Sequence, residues 1–191
     1  MTAQTAQTAQ TTQTAPTPNP TIGRGERADL LSALEKHRHF LCLTMRDLTD
    51  EQAAGRTTAS ELCLGGLVKH VTEVESGWVD FIIGEPDAMP ASDDWDSDVA
   101  VEAWQDRFRM TPGEDLAGLL GRYAQVARRT DEVVATADLD ASHPLPTAPW
   151  FEQGARWTTR RVVQHLIAET AQHAGHADII RESLDGAKTM G

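Results

Sequence analysis

Apolar residues recur at spacings of three and four along four long stretches of this chain, and each stretch reads as an amphipathic helix. In the first, from 24 to about 47, Leu30, Leu34, His37, Leu41, Thr44 or Met45, and Leu48 step along one face. The second opens at Ser60, a residue type suited to an N-cap, and carries Cys63, Leu67, His70, Val74, Trp78 and Phe81 until Gly84 and Pro86 end it. Thr111-Pro112-Gly113-Glu114 reads as a capping box with Pro at the first helical position, followed by Leu116, Leu119, Tyr123, Val126, Thr130 and Val133 to about 136. The fourth is capped by Thr158 and closed by Gly186, and its stripe is Val162, Leu166, Thr170, His173, Ala177, Ile180 and Leu184.

The intervening segments are less regular. Thr49 is placed to cap a short extra turn, and Trp104 with Phe108 at i and i+4 predicts a short helix. Residues 85–98, rich in Pro and Asp, and the segment between Asp138 and Arg156, with Pro144, Pro146, Pro149, Trp150 and Phe151, read as long connections. No stretch alternates as a strand would. The expectation is an all-α four-helix bundle with long crossover loops. Residues 1–22, a Thr/Ala/Gln/Pro tail, cannot bury enough surface to offset the entropy of ordering, leaving 23–187 as one domain. Four of the five tryptophans fall at or beyond helix ends, where they either anchor the loops or wall a cleft.

Charge narrows the function. A formal net charge of −12 repels phosphate backbones, and no cluster of Lys and Arg overrides it, so nucleic acid is excluded as a partner. No apolar run approaches the length of a membrane span. The N-terminus lacks the basic start and apolar core of a secretory signal, which predicts a cytoplasmic protein. Cys42 and Cys63 fall inside predicted helices and read as reduced, buried thiols.

Histidines interrupt the apolar stripes where a core residue belongs. His37 alone reads as a hydrogen-bonded core residue. His70 is a weak signal until His173 repeats the substitution on another helix, with Glu169 one turn before it and His176 three residues after. A carboxylate turned toward a core must be paired, neutralised or metal-bound. His70, Glu169 and His173 together offer two imidazoles and a carboxylate from facing helices, a set that holds zinc, iron or nickel and leaves a coordination position for a substrate. A metal-free hydrogen-bonded network of the same three residues is the plainer alternative. Zinc-protease, Cys-x-x-Cys, EF-hand, paired Glu-x-x-His, phosphate-loop and Gly-x-Ser-x-Gly signatures are all absent. Arg181, suited to an anionic group, falls at the far edge of the stripe.

The run Leu67-Val68-Lys69-His70-Val71-Thr72-Glu73-Val74-Glu75, followed far downstream by His165-Leu-Ile-Ala-Glu169-Thr-Ala-Gln-His173-Ala-Gly-His176-Ala-Asp178-Ile-Ile-Arg181-Glu182, resembles the DinB-like superfamily. In particular it resembles the actinobacterial branch related to mycothiol-dependent maleylpyruvate isomerase. The resemblance spans 24–186 and implies an up-up-down-down four-helix bundle, often a homodimer, with a divalent metal on His70, Glu169 and His173. Glu169 stands where many relatives carry a histidine, which keeps His176 open as the third ligand. His176, His165 and Glu73 are otherwise neighbours of the metal or contacts of the substrate. The implied activity is thiol transfer from mycothiol or a similar small thiol to a small electrophile. A metal-dependent hydrolase on the same site, or a non-catalytic metal- or ligand-binding bundle, is the alternative.

Overall fold

The structure, a computed structural model, describes residues 25–84 and 98–189. The tail at 1–22 and nearly all of the acidic connection at 85–98 lie outside the described residues. The elements are α1 (Glu26–Leu43), α2 (Asp50–Ala54), α3 (Leu64–Ile83), α4 (Asp98–Asp106), α5 (Leu116–Thr136), β1 (Ser142–Pro144), β2 (Arg156–Thr158) and α6 (Thr159–Asp185). The expected four long helices are α1, α3, α5 and α6, and they form an all-α bundle. Thr49 and Gln52 close a capping box on α2, Thr158 accepts from Arg161 N–H to cap α6, and Gly84 and Gly186, at φ 75° and 80°, end α3 and α6 in the left-handed conformation.

Two helix starts differ from the sequence reading. The N-cap of α3 is Cys63, whose sulfur accepts from Gly66 N–H, and not Ser60, which belongs to a preceding turn. The N-cap of α5 is Asp115, accepting from Gly118 N–H. Half of the expected box at 111–114 does form, since Glu114 accepts from Thr111 N–H at 2.8 Å, but it closes a turn ahead of the helix. The antiparallel β1–β2 ladder is also new. It pairs Ser142 with Thr158 and Pro144 with Arg156, where the chain doubles back at one end of the bundle. Three-residue strands carry too few positions to show an alternating pattern.

Contacts at the two ends fix the helix directions. One apolar cluster joins Leu41 and Met45 late in α1, Leu64 to Val71 early in α3, Leu116 to Tyr123 early in α5, and Ala174 to Ile180 late in α6. A second joins Leu34 of α1, Trp78 to Ile82 late in α3, and Val162 and Leu166 early in α6, with Val133 of α5 against it. The order is therefore up, down, down, up, which corrects the up-up-down-down arrangement implied by the resemblance while keeping the bundle. Two consecutive parallel helices, α3 and α5, need a connection that returns the length of the bundle. That return path carries α4 across α3.

The first helix turns a different residue inward than its apolar spacing suggested. His37 is half-buried, and Arg38 takes the interior position at 7% exposure. The Arg38 guanidinium donates Nε–H to Glu75 Oε2 at 3.2 Å, makes a second bond to Glu75 Oε1, and reaches Asp131 at 2.8 Å. Glu75 is 1% exposed, so its charge is compensated almost wholly by Arg38. Cys63 is buried as expected, whereas Cys42 is exposed.

Candidate metal centre

Because α3 and α6 run antiparallel, residues early in α3 meet residues late in α6. His70 thereby faces His173, with ring centroids 4.8 Å apart and planes at 76°. One turn before His173, Glu169 presents its carboxylate to the same space, Oε2 lying 3.4 Å from His173 Nε2. One ligand atom from each of His70, Glu169 and His173 falls within 4.8 Å of the other two. Donor atoms at such mutual distances surround a point about 2 to 3 Å from each, the range of metal–nitrogen and metal–oxygen bonds.

The electrostatics suit ligation. Burial pushes the His70 imidazole down to about 4, reinforced by His173, so its ring is neutral and a nitrogen lone pair is free at pH 7. A hydrogen bond from His173 holds the Glu169 carboxyl below its ordinary value, against the effect of its burial, and His165 adds to the lowering. The protein side of the site is thus the neutral His70 imidazole, the His173 imidazole and one carboxylate anion. His70 Nδ1 is buried without a hydrogen-bond partner among the described residues. Leaving such an atom unsatisfied costs about 1–3 kcal/mol, a deficit that a ligand reaching that nitrogen would remove. This donor set therefore fits a divalent cation, and a self-sufficient hydrogen-bonded network fits less well.

Around these three stand groups that the sequence reading placed only loosely. His165 Nε2 lies 3.7 Å from Glu169 Oε1, on the side away from His173, and its ring meets those of Trp78 and Trp157 edge-on at 5.0 and 5.2 Å. His176 Nδ1 lies 3.4 Å from His173 Nδ1, so His176 sits against His173 and stands outside the three-residue cluster. Glu73 faces the other way, 3.6 Å from Arg107. Arg181 is committed elsewhere, donating to the carbonyls of Thr44 and Arg46 and pairing with Asp185, which ties the end of α6 to the end of α1.

The cover over His70 was not anticipated. Phe108 stacks on its imidazole at 4.1 Å and 26°, and Trp104, half exposed, stands edge-on at 6.4 Å. Both arrive on the crossover. Gly66, one helical turn before His70, makes that approach possible: a Cβ there would sit 1.9 Å from the Phe108 carbonyl oxygen and 2.7 Å from Arg109 N. The pair Gly65-Gly66 in the first turn of α3 marks close backbone approach there, without saying which segment approaches. With His70 and His173 at 5% and 9% exposure, solvent reaches the cluster from the α6 side, where the Glu169 and His165 side chains are 27% and 28% exposed. Two cavities of about 410 and 560 Å³, sharing Lys69, Glu73 and Ser76, lie on the flank toward α4 and α5 and are lined by none of the three residues.

Residues 29–186 match the family model described as Mycothiol-S-transferase, a span that covers the bundle from the first turn of α1 onward and all of the cluster. The chain belongs to that family. No curated protein gives a significant match to the chain. The family relates the chain to thiol chemistry and agrees with the resemblance drawn from the last helix; the cluster of His70, Glu169 and His173 supplies a candidate location for it.

Proposed function

We propose that this protein joins a low-molecular-weight thiol, mycothiol, through its sulfur to a small electrophilic substrate, using a divalent metal held by His70, Glu169 and His173. The observation that carries the metal assignment is the convergence of three ligand atoms on one point beside a buried imidazole nitrogen that has no partner. Membership of the mycothiol-S-transferase family supports the thiol. Zinc suits two imidazoles and one carboxylate with a position left for sulfur, and iron and nickel suit the same donors.

When bound, such a cation would supply the positive charge that lowers the pKa of a thiol and presents it as a thiolate at neutral pH. The chain's own residues set the conditions for this. Glu169 cancels one of the two charges of the cation, so a single thiolate neutralises the site. His70, kept neutral by burial, donates a lone pair without having to lose a proton. Phe108 and Trp104 exclude water from the α3 side, leaving approach past Glu169 and His165. In the reaction the thiol S–H bond breaks and its proton passes to solvent, a sulfur–carbon bond forms, and either the bond from that carbon to a leaving group breaks with its electron pair or, in an addition, the π bond of the electrophile opens and takes up a proton. The reading includes residues 23–187 as the working unit and a cytoplasmic setting; no helix among the described residues is long and apolar enough to cross a membrane.

The test is to incubate the metal-loaded protein with mycothiol and a panel of small electrophiles while following both reactants. Equal consumption of thiol and electrophile, lost in His173→Ala, is expected. Turnover of a substrate in the absence of thiol would replace the transferase reading with hydrolysis.

A further inference from the structure

Glu169 has two carboxylate oxygens, and the structure gives them different neighbours. Oε2 faces His173 Nε2 at 3.4 Å, inside the three-residue cluster, while Oε1 faces His165 Nε2 at 3.7 Å, outside it. His165, Glu169 and His173 follow one another at i and i+4, so they form a column along one face of α6 with the carboxylate in the middle. Glu169 is flexible by nature, with three rotatable bonds. A carboxylate free to turn binds a cation through either oxygen or both, and its geometry at the metal is then undefined.

The His165 ring is not free to turn. Trp78 and Trp157 stack on each other at 4.8 Å and 8°, and both present faces or edges to His165 at about 5 Å, from α3 and from β2 respectively. Trp157 is itself backed by Phe151 at 5.7 Å and by the Arg161 guanidinium at 4.8 Å. These contacts fix the imidazole from two elements other than its own helix, and leave one ring nitrogen aimed at Glu169. A separation of 3.7 Å is longer than a formed hydrogen bond but within a small side-chain adjustment of one. Trp78 belongs to the apolar cluster around Leu34, Val162 and Leu166, and Trp157 and Phe151 pack against it, so the wall beside His165 is anchored in the bundle core.

We infer that His165, packed edge-on against the stacked pair Trp78 and Trp157, is a positioning residue that holds Oε1 of Glu169 and so commits Oε2 alone to the metal. The inference rests on the assignment of the metal to His70, Glu169 and His173. Its chemical content is that the site takes the carboxylate through one oxygen, which keeps a coordination position for the thiol sulfur that a second carboxylate oxygen would otherwise occupy. Outer groups of this kind commonly change metal affinity about 10- to 100-fold when removed.

Two variants separate the donor from the shape. His165→Leu keeps an apolar body against the tryptophan pair and removes the N–H. His165→Gln retains an N–H that reaches a carboxylate one turn away. For each, zinc affinity is measured by competition with a chromophoric chelator, the visible absorption of the cobalt(II) form is recorded, and the thermal midpoint of the metal-free protein is followed. The expected result is a zinc affinity about 10- to 100-fold weaker in His165→Leu, with a cobalt spectrum shifted toward higher coordination number, recovery to within a few-fold in His165→Gln, and metal-free midpoints unchanged in both. Wild-type affinity and an unaltered cobalt spectrum in His165→Leu would overturn the inference, as would equal weakening in both variants, which would mean that ring shape and not the donor matters. Loss of all metal in His165→Leu would overturn it differently, by making His165 a ligand. If the wild-type protein itself takes up neither zinc nor cobalt, the metal assignment fails first and the positioning role falls with it.

Discussion

Replacing Gly66 by alanine tests how the site is covered. In a helix the change is ordinarily favourable, by up to about 1 kcal/mol, because glycine loses more backbone entropy on folding. Here the added methyl would lie 1.9 Å from the Phe108 carbonyl oxygen, 2.2 Å from its carbon and 2.7 Å from Arg109 N. Ordinary contact between carbon atoms begins near 3.5 Å, so the crossover must retreat by more than an ångström, and all three atoms belong to the backbone. The overpacking costs about 1–3 kcal/mol, and pulling Phe108 off its 4.1 Å stack on His70 adds about 0.5–1.5 kcal/mol. The net expectation is destabilisation by about 1–3 kcal/mol, read as the shift in urea midpoint at constant slope. Two companions calibrate it. Gly65→Ala meets the end of the flexible Met110 side chain at 2.3 Å and should cost less, while Gly121→Ala in α5 meets nothing within 4 Å and should stabilise by about 0.5–1 kcal/mol. A Gly66→Ala protein as stable as the wild type, or ranked above Gly121→Ala, would refute the claim that glycine is there to admit the crossover.

Arg38→Ala strands Glu75, which is 1% exposed, and should cost about 3–5 kcal/mol in urea unfolding, whereas the double variant Arg38→Met, Glu75→Leu should recover most of the loss. Asp131→Ala, whose carboxylate is about half exposed, should cost less than about 1 kcal/mol in the same assay. The Glu114 carboxyl would be raised by burial, but the Thr111 N–H and hydroxyl and the Lys69 ammonium hold it below its ordinary value. Its folded-state pKa is depressed, so its contribution is present above the unfolded value of about 4.3 and is lost as the pH falls through the folded value. The stability difference between wild type and Glu114→Gln, measured by urea unfolding across that range, should therefore shrink as the solution is acidified, and a difference that grows would contradict the assignment.

What was legible in the sequence was the part governed by periodicity. The stripe Val162, Leu166, Thr170, His173, Ala177, Ile180 is buried throughout, and a helix with that face must put Glu169 and His173 on one side. Facing it with α3 was enough to bring in His70. Directions of the helices were another matter, because apolar stripes are indifferent to which way a helix runs. The packing of the folded chain, early α3 on late α6 in one apolar cluster and late α3 on early α6 in the other, shows that the two helices are antiparallel. His37 was chosen over Arg38 because the pattern treats every charged residue as outward-facing. A guanidinium with a buried carboxylate on the next helix breaks that rule, and the partner is invisible until the helices are packed. The cap positions of α3 and α5 slipped by three and four residues, since Ser60, Cys63, Thr111 and Asp115 all offer side-chain acceptors and only the path of the chain selects among them. Phe108 over His70 was beyond reach for a similar reason. Its arrival depends on a long return connection and on Gly66, and neither declares itself through spacing.

The account turns on a metal ion at His70, Glu169 and His173, and its content in the protein is the direct measurement. Full-length protein carrying no histidine tag, with His70→Ala and Glu169→Ala prepared alongside, would be assayed by inductively coupled plasma mass spectrometry before and after reconstitution with zinc, iron or nickel. The account predicts about one metal ion per chain in the wild type and loss of it in both variants, with the folded helical signal retained. Metal kept in Glu169→Ala would move the third ligand to His176 or His165, and no metal in any sample would return the three residues to a buried network without a cation.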